Sequence, residues 1–275
     1  MMLAALTLMW GCSSSSDKDD EEGEIIDPPF TATSPWHTVN VPPMWQIDWT
    51  GNDQRPNWEE PVPSKYESWM IVQVQLPNLI ATDVSDDDLM AIFIDDEIRG
   101  LSSKATSVTG GDEEKTYFIL KTFGNPKTDS NKNISIKYYS SKLHHLFTVN
   151  NGDTFFTSEG DVGVTHDFIP PFLLGASKYP VVMYDLISFT IDPESTEGFV
   201  PHANDIVAAF VGDECRGYTT VGESLYNARV TVTVYSKAEG EQVKIRYYSV
   251  NKNAVREFDT TVETRPGTRM SQISI

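Results

Sequence analysis

The stretch DDLMAIFIDDEIRG at 87–100 returns, with changes, as NDIVAAFVGDECRG at 204–217. Asp88, Ala91, Phe93, Asp96, Glu97, Arg99 and Gly100 recur as Asp205, Ala208, Phe210, Asp213, Glu214, Arg216 and Gly217 at one separation of 117 (205 minus 88). An ungapped match over so many positions is an internal repeat, so the chain reads as two copies of one unit. Each copy predicts a β-hairpin: an apolar run, a polar pair (Asp95-Asp96 or Gly212-Asp213) that fits a two-residue loop, and a second run ending in Arg-Gly. Such a loop sets Phe93 opposite Ile98 and Ile92 opposite Arg99, and likewise Phe210 opposite Cys215 and Ala209 opposite Arg216. Phe, Ala and Leu/Ile are then expected on the core face. Arg99 with Glu97, and Arg216 with Glu214, are expected on the opposite, outer face.

Working outward, short runs with a period of two flank both hairpins. They are 69–76, 116–123, 134–140 and 145–149 in the first unit, and 181–190, 228–235, 243–249 and 255–262 in the second. Tyr66 and Met70 match Tyr179 and Met183, and Tyr138-Tyr139 match Tyr247-Tyr248, with drifting separations that mark loop-length changes between fixed strands. No helical stripe of comparable strength occurs. The predicted fold is all-β, two tandem antiparallel β-sandwich (Ig-like) domains at 66–172 and 173–275, each burying a core of its own. Residues 30–65 are rich in aromatics and proline without alternation and predict an extended segment packed along the first domain.

The 275 residues carry a formal charge of −19. Phosphate backbones would repel such a chain, which argues against nucleic acid as a partner. Its two cysteines, Cys12 and Cys215, have different settings. Cys215 is predicted to be a buried, inert thiol beside Phe210. Cys12 closes the apolar run MMLAALTLMWG, too short to span a bilayer but suited to the hydrophobic core of an export signal. Residues 1–11 are read as the remnant of a signal peptide.

Leu-Met-Trp-Gly-Cys at 8–12 resembles a lipobox, and SSSSDKDDEEGE at 13–24 resembles the surface-export signal of Bacteroidota lipoproteins. These resemblances imply lipidation at Cys12, a disordered acidic tether over 12–29, and an outer-membrane location facing the cell exterior. The pattern Tyr-x3-Met, then Asp-x2-Ala-x-Phe-x2-Asp-Glu-x-Arg-Gly, then a Tyr-Tyr strand resembles a β-sandwich repeat of exported Bacteroidota proteins whose commonest core reads roughly AFVGDECRG. Residues 208–217 carry that core almost unaltered, whereas the first copy departs at Asp95 and Ile98. The repeat supports fold and location; it implies no activity.

Five histidines, His37, His144, His145, His166 and His202, offer no metal-ligand spacing, and no nucleophile, phosphate-loop or dinucleotide motif occurs. The expectation is no enzyme, no cofactor and no metal. Asp86-Asp87-Asp88 and Asp95-Asp96-Glu97 are read as solvated turn carboxylates in preference to a calcium site. The candidate binding surface comprises Trp36, Trp45, Trp49 and Trp58, whose alternative role is to plug the adjacent sandwich, and the repeated Arg99 and Arg216, whose alternative role is structural. Two functions follow as expectations: a non-catalytic binding or accessory subunit of an outer-membrane transport or assembly complex, or a carbohydrate-binding lipoprotein of a glycan-uptake system.

Overall fold

The computed structural model describes residues 30–31, 35–110, 113–130, 132–149, 154–175, 178–190, 201–222 and 229–274. Cys12 and the tether therefore lie outside the described residues. In chain order the strands are β1 (Phe30–Thr31), β2 (His37–Thr38), β3 (Ser68–Gln75), β4 (Leu89–Ile94), β5 (Glu97–Ser102), β6 (Ala105–Gly110), β7 (Glu113–Gly124), β8 (Ser135–Ser140) and β9 (His145–Thr148). They continue with β10 (Asp161–Val162), β11 (Val181–Thr190), β12 (Ile206–Val211), β13 (Glu214–Thr220), β14 (Arg229–Ser236), β15 (Gln242–Ser249), β16 (Ala254–Glu263) and β17 (Gly267–Ser274). Two single-turn helices, α1 (Asn78–Ala81) and α2 (Pro126–Asp129), interrupt them. The all-β sandwich expectation holds, with half of the structure in strands.

Among the described residues four sheets form, ordered β10-β3-β7-β6, β5-β4-β8-β9, β1-β17-β11-β14 and β13-β12-β15-β16-β2. The first two face each other: Met70 and Val72 of β3 and Phe118 and Leu120 of β7 share a core with Met90 and Ile92 of β4 and Ile136 and Tyr138 of β8. The last two face each other in the same way, Met183, Ile187, Val232 and Val234 meeting Val207, Ala209, Val243 and Ile245. Most pairings are antiparallel, as the alternation predicts. Strand β17 is an addition, running parallel to β11 and to β1. Its sequence, GTRMSQIS, has too little apolar alternation to announce a strand.

Both hairpins form with the expected two-residue loops. Asp95 and Asp96 both adopt positive φ, 51° and 63°, and Gly212 has φ 59°. The first loop thus has the backbone of a type I′ turn with aspartates in place of the favoured Asn-Gly, which Asp tolerates in the left-handed region. Phe93 pairs with Ile98 and Phe210 with Cys215, as predicted, but a register shift follows, so that Ile92 pairs with Gly100 and Ala209 with Gly217. Arg99 and Arg216 are therefore the extra residues of a β-bulge and do not stand opposite Ile92 and Ala209.

The faces differ from the prediction too. Met90, Ile92 and Ile94 line the space between the first two sheets, as Val207 and Ala209 do between the last two. Phe93 and Phe210 point the other way, and Arg99 and Arg216 turn inward. The physical reason lies in the runs themselves, LMAIFI and IVAAFV, which do not alternate. Fully burying one such side chain is worth about 1.5–3 kcal/mol, so an unbroken apolar run is satisfied only where both faces are covered. All six residues of β4 are buried.

What covers the second face is the aromatic segment, and it does not pack on the first sheet pair alone. Trp36 meets Tyr247 edge-on, Trp45 meets Phe210, and Trp49 meets Tyr179 and Tyr235, all on the second sheet pair; Trp58 reaches Phe93 on the first. Strand β2 pairs with β16, and further along Gly51 and Asp53 donate their amides to the carbonyls of Leu143 and His144. The segment is a strap across both pairs. Ala208, Phe210 and Cys215 consequently belong to the same apolar cluster as the core of the first pair, while the space between the last two sheets keeps a core of its own.

Candidate functional site

The repeated polar residues build two matching clusters in each copy. Asp88 is fully buried; its carboxylate accepts hydrogen bonds from Tyr138 Oη (2.7 Å), Ser85 N (3.0 Å) and Ser141 N (2.8 Å). Asp205, also fully buried, accepts from Tyr247 Oη (2.6 Å), His202 N (2.8 Å) and Val250 N (2.7 Å). In both copies the donors stand three residues before the aspartate and three after the tyrosine. The carboxylate joins the loop entering the hairpin to the end of β8 or β15; burial of each tyrosine, and after it the aspartate's charge and hydrogen bond, push both tyrosine pKa values up. Asp88 is thus not a solvated turn residue: a buried carboxylate persists because three or more donors satisfy it.

The second cluster is the bulge arginine. Arg99 Nη1 donates to Asp129 Oδ2 (2.8 Å) and to the carbonyl of Phe123 (3.5 Å) in the facing sheet, and its Nε to Glu97 (3.2 Å). Arg216 repeats this with Glu241 (3.2 and 3.4 Å), the carbonyl of Tyr235 (3.3 Å) and Glu214 (3.0 Å). Both guanidiniums stack on the first tyrosine of the motif, 4.7 Å from the ring centre of Tyr66 and 4.9 Å from that of Tyr179. The glycine after each arginine lets the edge strand touch the opposite sheet. A Cβ on Gly217 would lie 2.0 Å from the carbonyl oxygen of Thr233, and one on Gly100 2.9 Å from Thr122 Oγ1. Arg-Gly is therefore a latch that closes one edge of each sandwich.

Asp129 and Glu241, the latch acids, lie outside the motif. Yet each stands six residues after the carbonyl that the same arginine holds, Phe123 or Tyr235, so a common spacing of 112 from the first copy to the second (235 minus 123, 241 minus 129) signalled them. Burial opposes ionisation of both, but backbone, hydroxyl and arginine donors hold their pKa values below the usual carboxylate range.

Of the predicted surface residues, Arg99, Arg216 and Trp49 are buried at 6%, 2% and 2% exposure, so none of the three is open to a ligand. Trp36, Trp45 and Trp58 are half-buried against the rings named above. Among the described residues no group of three metal-ligating side chains occurs. No helix of the described residues is long and apolar enough to cross a membrane.

The exposed apolar and aromatic side chains of the described residues include two groups that sequence reading did not single out. One is the strap's corner, Val41-Pro42-Pro43-Met44, with Val41 69% and Met44 87% exposed. The other is the outer face of β3 and β7, where Trp69 pairs with Phe123, Ile71 with Lys121, Gln73 with Ile119 and Gln75 with Tyr117. There Lys121 Nζ lies 4.6 Å above the Trp69 ring, and Tyr66 stacks on Phe123 at 6.1 Å with planes 21° apart. At the far end Asp167 accepts from Tyr117 Oη (2.9 Å) and pairs with Lys115, beside a groove of about 960 Å³ between α1 and Ile169. An all-β sandwich whose repeated arginines and buried aspartates are spent in structural bonds, with apolar side chains facing solvent, is the class of protein that these features define. No family model and no curated protein matches the chain.

Proposed function

We propose that this chain is an exported lipoprotein, held through Cys12 and its acidic tether on the outer membrane facing the cell exterior. There it acts as a non-catalytic binding or accessory subunit of an outer-membrane transport or assembly complex. The observation that carries this reading is the corner at 41–44. It is apolar and proline-rich and is held out from the body by fixed flanks: the amide of Val39 donates to the carbonyl of Asn253, and Trp45 is seated on Phe210. Exposed apolar surface on a clamped segment suits a partner that covers it, and two prolines preset the extended backbone, so binding orders little. The repeated charged residues support the non-catalytic part of the reading, because they are consumed in structural bonds. The likeness of the two motif copies to the AFVGDECRG-type repeat supports tandem sandwich domains and an exported location.

A photo-crosslinker at position 44 in intact cells tests the partner. It should join the chain to an outer-membrane protein, a crosslinker at Lys237 should not, and Met44→Glu should abolish co-purification of that protein. Equal crosslinking from both positions overturns the reading. For the anchor, Cys12→Ala should release the chain from the membrane fraction.

A second reading, a carbohydrate-binding surface lipoprotein, is favoured by a different observation: Trp69, 39% exposed, lies on the outer face of β3 across from Phe123, on which Tyr66 stacks.

A further inference from the structure

The strap is itself written twice. Trp36, Pro43 and Trp45 return as Trp49, Pro56 and Trp58, all at a separation of 13 (49 minus 36, 56 minus 43, 58 minus 45). The two elements cover one sandwich each, at matching places. Trp45 lies edge-on to Phe210 and Trp58 to Phe93, both at 5.7 Å, and these phenylalanines are counterparts in the two hairpins. The amide of Val39 donates to the carbonyl of Asn253, and that of Asp53 to the carbonyl of His144, both at 2.9 Å. Asn253 and His144 share a φ of 47°, one place before β16 and β9.

Trp49 opens the element that covers the first sandwich, yet its ring lies against Tyr179 and Tyr235 of the second. Around it Tyr179 Oη donates to the carbonyl of Asp48 (3.0 Å), and Lys178 Nζ to Asp48 Oδ2 (2.7 Å) and the carbonyl of Thr50 (2.8 Å). This junction leaves Trp49 and Tyr179 only 2% and 1% exposed. Both of its halves recur elsewhere on the molecule. Ser177-Lys178-Tyr179 repeats Ser64-Lys65-Tyr66, and Tyr235 repeats Phe123, so the first sandwich carries the same seat; there Tyr66 is half-buried and Lys65 exposed. Trp36, the counterpart of Trp49, is half-buried against Tyr247 at the β16 edge of the second sandwich.

Charge marks the same two ends. Lys252 and Arg256, whose charged groups lie 5.5 and 5.6 Å from the centre of the Trp36 ring, stand where the first copy has Leu143 and Phe147 (252 minus 143 and 256 minus 147 are both 109). Beside the open seat, Glu67 stands where the second copy has Pro180 (180 minus 67 is 113, as for the tyrosines). Basic residues at one end and an acid at the other select that pairing between chains whose net charge of −19 otherwise keeps them apart.

We propose that a second copy of this chain docks here head to tail, the Trp36 end of one molecule entering the seat of Lys65, Tyr66 and Phe123 on the next as Trp49 enters that of Lys178, Tyr179 and Tyr235. The contact is independent of the partner proposed for the corner at 41–44. It joins unlike surfaces, so symmetry does not close it at a dimer. Sedimentation velocity of the full chain, carrying Cys12→Ser so that no lipid is attached, tests it from about 1 µM to about 1 mM. The mass should grow past that of a dimer as concentration rises. Lys65→Glu blocks the seat and Trp36→Ala removes the ring that enters it, and each should weaken association by about tenfold or more. Lys252→Glu should act as Trp36→Ala does, and it reads the same end should the alanine loosen the strap. Lys65→Glu mixed with Lys252→Glu should pair through the intact ends and stop at a dimer. A parent that stays monomeric throughout overturns the proposal, as does association that either glutamate substitution leaves at parent strength. So does a mixture that fails to pair.

Discussion

Replacing Trp49 by alanine should detach the strap from the second sheet pair while leaving the sheets themselves intact. The indole is 2% exposed and lies edge-to-face on Tyr235 at 4.9 Å and on Tyr179 at 5.8 Å. Truncating a buried large aromatic to alanine costs about 3–5 kcal/mol. Taking about 4 kcal/mol, the strap-open population rises about a thousandfold. The ion pair of Lys178 with Asp48, more than half exposed on the aspartate side, is too weak to compensate. Cys215 provides the reporter: it is 8% exposed beside Phe210 in the cluster that Trp45 covers, and burial pushes its thiol pKa up to about 11. In a Cys12→Ser background it is the sole thiol. Its labelling by an aromatic disulfide under native conditions should accelerate by two to three orders of magnitude in Trp49→Ala, with thermal unfolding lowered by roughly 10 °C. Trp58→Ala, at the other end of the strap, should leave the labelling rate near that of the parent. If Trp49→Ala neither exposes Cys215 nor lowers the unfolding temperature, the strap contributes no stability and its packing on the second hairpin is incidental.

Three further outcomes are expected. Arg99→Ala should cost about 1.5–3 kcal/mol in chemical denaturation, because Asp129, 1% exposed, loses a charge-assisted hydrogen bond and keeps only Asn125, Thr128 and Lys132, and Arg216→Ala less, because Glu241 is partly open to water; equal and negligible losses would remove the latch. Gly217→Ala should prevent the second sandwich from closing, its Cβ meeting backbone at 2.0 Å, whereas Gly100→Ala meets a movable hydroxyl first and should still fold; circular dichroism of the two variants decides. Stability should decline on acidification in two steps. Burial holds His145 below its ordinary 6.5, so the unfolded chain binds the extra proton and stability is lost as pH falls below that value, a step His145→Phe should erase. Burial opposes it, but Lys178 and Thr50 hold Asp48 at about 2 against 3.8, a contribution lost as pH falls from about 4 toward 2 and absent in Asp48→Asn.

The repeat was legible because both copies must solve the same closure problem with the same residues. Turn positions, strand spans and the pairings of Phe93 with Ile98 and Phe210 with Cys215 follow from two-residue periodicity and loop chemistry alone. The bulge was not legible, since an extra residue leaves no mark in a pattern of Ile-Arg-Gly. That one residue decides which side of the hairpin holds the arginine. The second face of β4 and β12 was written in LMAIFI and IVAAFV, whose lack of alternation demands cover on both sides. Tryptophans far away in sequence supply that cover, and nothing local to Trp36 or Trp45 says which sheets they reach. Trp69 escaped notice for the opposite reason: it sits inside a well-formed strand, where an aromatic is ordinarily core, and only the pleat shows that it faces out.

The strap also imposes an order on biosynthesis. Phe30 pairs with Ile273, so partners 243 positions apart (273 minus 30) must meet, and β2 waits for β16 in the same way. A nascent chain emerging from the N-terminus presents Trp36, Trp45 and Trp49 long before the sheets that receive them exist. Those tryptophans wait for Tyr179, Phe210, Tyr235 and Tyr247, a slow, long-range closure of the kind that favours chaperone capture. Loss of β17 would leave β1 without its partner.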